Sequence, residues 1–148
     1  MDVLQELERE VAVFARRVEG ARQSWQRHQD LDRSAYLILL ALDNNGPMVV
    51  GQLANVFQLD ISTISRQIAP IVGAGLVAKE RDEIDKRQVR LSITPEGSAA
   101  LEATRESRRQ LYAELLADWS DDDKEQFLAL LQRFNDRLRQ RQQEQENR

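Results

Sequence analysis

Residues 46–97 read GPMVVGQLANVFQLDISTISRQIAPIVGAGLVAKERDEIDKRQVRLSITPEG, and the order of elements within this stretch decides the fold. Asn44-Asn45-Gly46-Pro47 is a turn. Met48-Val49-Val50 is one short apolar strand. Residues 51–57 suit a short helix with Leu53, Ala54 and Phe57 inward. Gln58-Leu59-Asp60 makes a tight connection, and Asp60 is a good N-cap for a second helix over residues 61–73. Ile61, Ile64, Ile68, Ile71 and Val72 share one face of that helix, and Gly73-Ala74-Gly75 suits its C-terminal stop. Residues 76–81 and 89–93 then alternate like two strands of a hairpin. The tip between them is a charge knot, with seven charges in the ten residues 81–90.

Outward from this centre the chain turns to long helices. Before it, residues 35–42 form a compact apolar helix, with Ser34 as the expected cap. At the N-terminus Leu4, Leu7, Val11, Phe14, Val18, Ala21 and Trp25 recur at alternating steps of three and four, the seam of an amphipathic helix that wants a partner helix. After the hairpin, Thr94-Pro95-Glu96 reads as cap, first-turn proline and first-turn acid. Leu101, Thr104, Leu111 and Leu115 run along one face of the helix that follows. Ser120 with Asp121, Asp122 and Asp123 starts another, whose stripe is Phe127, Leu131, Phe134 and Leu138. Long helices that flank a central segment in this way are expected to pair with a second copy. Residues 141–148 read as a frayed tail.

The fold class expected is therefore mainly α with a small β-hairpin wing. A winged helix-turn-helix lobe over residues 30–95 sits within a single domain spanning 1–148. Residues 1–29 and 96–140 form a helical dimerisation region.

Composition narrows the function classes. The 148 residues are 41% hydrophobic and 31% charged, which suits a folded, soluble chain. There is no cysteine, so thiol catalysis, disulfides and thiol redox sensing are excluded. The longest apolar run, residues 35–42, is too short to cross a bilayer, and no signal segment is evident. A cytoplasmic protein without membrane partners is expected. The sequence shows one histidine, no glycine-rich phosphate loop and no nucleophile motif, so an enzyme is not expected. His28 beside Asp30 and Asp32 is too weak a donor set for a metal, and no cofactor is implied.

Net charge is −4, but it is unevenly spread. Residues 1–47 carry −2, residues 48–94 carry +1 and residues 95–148 carry −3. Between residues 61 and 79 there are two basic groups and no acidic one. A locally positive face within an acidic body can aim at phosphate while the rest repels it. Turning the isoleucines inward leaves Ser62, Thr63, Ser65, Arg66 and Gln67 outside or at the margin. These are short polar groups, a cation able to fork onto guanine and an amide able to reach adenine. Lys86 and Arg90 on the hairpin are placed for phosphates, whereas Asp82 and Glu83 are expected only to keep the tip in water.

These residues resemble the core of the MarR family of transcription regulators. The resemblance rests on an ordered set: the Gly-Pro turn, Gly-x-Leu-Ala opening the first helix of the pair, Ser-Thr-x-Ser-Arg in the second, Gly-Leu-Val after it, Asp-x-Arg in the wing and x-Leu-x-x-Thr-x-x-Gly into the next helix. It implies a homodimer that places two recognition helices in successive major grooves of a pseudo-palindromic double-stranded operator. It further implies that Asp85 holds Arg87 by an ion pair and aims it into the flanking minor groove. A strand-edge spacing of two residues is consistent with that pairing. The likeness implies a repressor, released when a small aromatic or anionic effector binds; Arg22, Trp25, His28 and Tyr36 are the candidates for holding it. The alternative is a dimeric helical adaptor whose winged-helix lobe does not read DNA. Two departures stand out. Val49 replaces the usual Ser or Thr at the start of the first helix, at a cost of about 1 kcal/mol in capping. Pro70 lies inside the recognition helix, where it removes a hydrogen bond and crowds the carbonyl of Arg66.

Overall fold

The computed structural model describes residues 2–25 and 31–148, with side chains for 2–21 and from 31 onward. It divides into two units, residues 1–30 and 31–148. The first is the helix α1, Val3–Trp25. Leu4, Leu7, Val11 and Phe14 on its seam are all exposed. His28 and the side chains of Arg22 and Trp25 lie outside the described residues.

The second unit runs α2 (Arg33–Asn45), β1 (Met48–Val49), α3 (Val50–Phe57), α4 (Ile61–Gly73), β2 (Val77–Arg81), β3 (Val89–Ile93), α5 (Pro95–Leu115) and α6 (Asp121–Glu146). Local chemistry places most of these limits. Asp32, not Ser34, caps α2, its carboxylate accepting from the amide of Ala35 at 2.8 Å. The helix therefore starts at Arg33, two residues earlier than the apolar run suggests. Asp60 caps α4 by accepting from the Thr63 amide at 2.7 Å. Thr94 caps α5 and Ser120 caps α6, as their sequences predict. Val49 has no side-chain acceptor to offer α3. Instead the Gln52 carboxamide oxygen accepts from the Val49 amide at 3.1 Å, which keeps one half of a capping box. The strand expected over residues 48–50 is only two residues long, because Val50 already belongs to α3.

The helix α4 ends in a Schellman motif. Gly75 takes φ +77°, its amide bonds the carbonyl of Val72 at 3.0 Å, and the Leu76 amide bonds that of Ile71 at 3.0 Å. This reversal sends the chain directly into β2. The strands form one antiparallel sheet of order β1-β3-β2, with Met48 opposite Leu91 and Val77 opposite Ile93.

The core lies under this sheet. Ile38, Leu39 and Leu42 from α2 meet Leu53 from α3, Ile64, Ile68 and Ile71 from α4, Val77 and Leu91 from the strands, and Leu101 from α5. Ile61 does not join them and is 61% exposed. The boundary expected at residue 95 does not separate the packing either, since the first turns of α5 belong to the lobe. Thr104 is buried there, accepting from the Leu31 amide at 3.1 Å and donating to the Ala100 carbonyl at 2.9 Å. Arg105 pairs with Asp43 at 3.3 Å, and the Arg108 guanidinium lies 4.1 Å from the Tyr36 ring centre. The tail expected to fray is helical as far as Glu146. Before α6, Trp119 meets Phe127 edge to face at 5.6 Å. No helix among the described residues is long and apolar enough to cross a membrane.

Gly97 marks the closest approach of α5 to the sheet. A Cβ at this position would overlap the Leu76 carbonyl oxygen and come within 2.9 Å of Ile93 Cγ1. Backbone cannot move aside as a flexible side chain can, so Gly97→Ala is expected to destabilise the protein by roughly 1–3 kcal/mol. The midpoint of urea unfolding should fall accordingly, whereas Gly51→Ala, with nothing near its Cβ, should leave it nearly unchanged.

Candidate nucleic-acid interface

Burial of Ile64, Ile68 and Ile71 orients α4. Ser62, Ser65 and Arg66 then stand exposed, while Thr63 and Gln67 are half-buried at the margins. The five residues singled out in this helix thus occupy its open side and edges. Pro70 is exposed within the helix, which continues through it to Gly73. The first turn is tightly organised. Asp60 accepts from the Ser62 hydroxyl at 2.6 Å as well as from the Thr63 amide. These bonds, Ser62 foremost, pull its pKa down to about 2 from an ordinary 3.8.

The wing is built by two carboxylates. Asp85 grips Arg87 through both oxygens, at 3.0 Å to Nε and 3.2 Å to Nη2, and also accepts from the Arg87 amide at 3.1 Å. The bond from the Arg87 side chain is the main cause of its lowered pKa. The Arg87 side chain is nonetheless 90% exposed, so it is aimed without being covered. Both residues lie in the turn between β2 and β3, not along a strand. A local side-chain-to-backbone turn therefore brings them together, in place of the strand-edge alternation invoked for them.

Asp82 is the correction of most consequence. Expected to be solvated, it is only 6% exposed. One oxygen accepts from Arg90 Nε at 2.9 Å and Nη2 at 2.7 Å, and the other accepts from the Asp85 amide at 3.0 Å. Its own amide donates to the Gln88 carbonyl at 2.9 Å. The Asp85 amide and then Arg90 lower its pKa, outweighing burial. Arg90, expected on phosphates, thus spends two nitrogens inside the protein. Lys86 and Glu83 are exposed, and Ile84 between the two anchored aspartates is 92% exposed. The register does contain a signal for Asp82. Arg81 opposes Val89, so extending the ladder sets Asp82 opposite Gln88 and on the same face as Arg90.

Between α4 and the wing base runs a groove of about 980 Å³, lined among others by Val49, Gln52, Ile61, Ser65, Val72 and Arg87. Ser65 of α4 and Arg87 of the wing both line this groove, and Ser62, Arg66 and Lys86 are exposed on the same two elements. Such groups can bond phosphate oxygens and base edges. Among the described residues no group of His, Asp and Glu side chains is placed to hold a metal. Tyr36, the effector candidate with a described side chain, is half-buried under Arg108 and packs α2 on α5.

A model of the MarR family matches residues 31–89. Over 129 residues the chain is 41% identical to the uncharacterised HTH-type transcriptional regulator YxaD of Bacillus subtilis (strain 168), covering 87% of this chain and 90% of that protein. Among solved structures it matches a MarR family protein from Bacillus stearothermophilus with a TM-score of 0.78 at 24% identity, over 93% of this chain and 98% of the other. It matches the transcriptional regulator BldR from Sulfolobus solfataricus with a TM-score of 0.74 at 26% identity, over 93% and 99%.

Two outcomes follow from the local geometry. Removing the acceptor by Asp82→Ala should speed hydrogen exchange of the Asp85 amide about tenfold, while the Leu91 amide in the ladder keeps its protection. For Asp60 the folded pKa is depressed, so its stabilisation is present above 3.8 and is lost as pH falls towards 2. The difference in urea midpoint between the parent and Asp60→Ala should therefore be constant near neutrality and shrink across that acidic window.

Proposed function

The chain belongs to the MarR family of transcription regulators, and from that premise we propose that it binds a pseudo-palindromic DNA operator as a homodimer and represses transcription. In this reading α4 enters the major groove and Arg87 enters the adjacent minor groove. The observation that carries it is the Asp85–Arg87 pair, a largely exposed guanidinium held by both carboxylate oxygens and the local turn. An exposed pair of this kind contributes little to stability. Its use is to present a preordered cation to a narrow, negative groove. Ser62, Thr63, Ser65, Arg66 and Gln67 are assigned to bases and phosphates of the major groove, and Lys86 to the phosphate backbone. Arg90 is assigned to a phosphate as well, with its guanidinium oriented by Asp82.

The homodimer is supported by apolar stripes that stay exposed among the described residues. On α1 these are Leu4, Leu7 and Phe14, and on α6 they are Phe127, Phe134 and Leu138. No residue of α6 is buried. A helix so long and so apolar along one face needs a partner. Residues 1–29 and the region from α5 onward are assigned to that interface, with the first turns of α5 shared with the lobe. Release by a small aromatic or anionic effector completes the reading. Of its candidates, Tyr36 beneath the Arg108 guanidinium already pairs an aromatic face with a cation.

The test is duplex binding by the full chain, with the target recovered from a randomised library and its affinity followed by fluorescence anisotropy across a salt series. Steep salt dependence is expected. Arg87→Ala should lower the salt slope by about one counterion per half-site. Arg66→Ala should cost roughly 1–3 kcal/mol and relax base preference at one position. Retention that is insensitive to salt, or unaffected by both substitutions, rules the DNA reading out. Sedimentation equilibrium should give twice the 17.1 kDa chain mass, and Phe127→Glu combined with Phe134→Glu should return the chain mass.

A further inference from the structure

Ile61 occupies the first position of α4, where the sequence pattern assigns it to the core and the fold leaves it 61% exposed. Its neighbours in the first turn are already engaged. Ser62 has one hydroxyl proton and gives it to Asp60 at 2.6 Å, so that oxygen can only accept. Thr63 is half-buried, with its amide on Asp60. The largest open side chain at this end of the helix is therefore apolar. It sits on the rim of the groove that also holds Ser65, Gln52 and Arg87.

Single exposed apolar residues are common on protein surfaces. The place of this one is not neutral, because the N-terminal residues of a recognition helix are the ones that meet base edges. In the major groove the base edges are mostly hydrogen-bond donors and acceptors, and their one bulky apolar group is the 5-methyl of thymine. An isoleucine pressed against a polar edge desolvates it and returns no hydrogen bond. Pressed against a methyl group it buries apolar surface on both sides. Resting on the reading of α4 as the major-groove helix, we infer that Ile61 is a specificity-determining residue that selects a thymine 5-methyl group in each half-site.

The experiment uses the full chain and the duplex it enriches from a randomised library. Thymines of that duplex are replaced by deoxyuridine, one symmetric pair at a time, which deletes the methyl and nothing else. For the parent, one pair should weaken binding about fourfold per half-site, or about fifteenfold with both half-sites changed. Ile61→Ala should bind the thymine and deoxyuridine duplexes equally, with a thermal melt like the parent's. Ile61→Val should keep part of the discrimination. Thymine sensitivity that survives unchanged in Ile61→Ala, or parent binding indifferent to every replacement, overturns the inference. If the library returns no preferred duplex at all, the sequence-reading function itself fails, and the role of Ile61 fails with it.

Discussion

The burial of one face of α4 is the constraint on which the rest of the structure depends. Ile64, Ile68 and Ile71 are pinned against α2, α3 and the sheet. That contact determines the rotation of the helix about its axis, and so which polar residues look outward. Its two ends are set by separate devices, the Asp60 cap before it and the Gly75 reversal after it. The cap holds the first turn at the surface. The reversal delivers the chain into β2, which carries the wing. A helix anchored only by its middle could slide or roll; one stopped at both ends presents its open face in a single setting.

The wing follows a different logic, electrostatic where α4 is apolar. Its turn has few apolar groups to bury, so carboxylates do the organising. Asp82, buried, ties the turn to Arg90 and to the Asp85 amide; Asp85 in turn holds Arg87. Asp82 offsets Arg90 inside the wing, while Lys86 and the Arg87 guanidinium, exposed although it is held by Asp85, face outward. An acidic protein thereby offers phosphate a positive edge without a large excess of basic residues.

Much of this was legible from residues alone, and the misses are of two kinds. The caps at Asp60, Thr94 and Ser120 are local bonds between residues three apart, so their chemistry is visible in a short window. Asp32 offers the same kind of acceptor two residues before Ser34 and caps the helix in its place. The errors at Ile61 and Asp82 are of another kind. The 3.6-residue period tells which direction Ile61 points but not how far the opposing surface extends. Charge pattern makes Asp82 look wet, although the hairpin register brings Arg90 over it. Likewise the break at residue 95 follows a change of secondary structure, whereas packing carries Leu101 and Thr104 into the lobe.

By itself the sequence determined the order of elements, the two short helices joined at Asp60 and the hairpin after them. Each of these depends on neighbours close along the chain, where side-chain type and backbone preference are enough. Only the tertiary structure decided that Asp82 is buried and occupied, that Arg90 is partly spent, that α5 begins inside the lobe and that Ile61 faces outward. Those outcomes depend on which distant surfaces meet, and burial is a property of the whole packed chain rather than of any window of it.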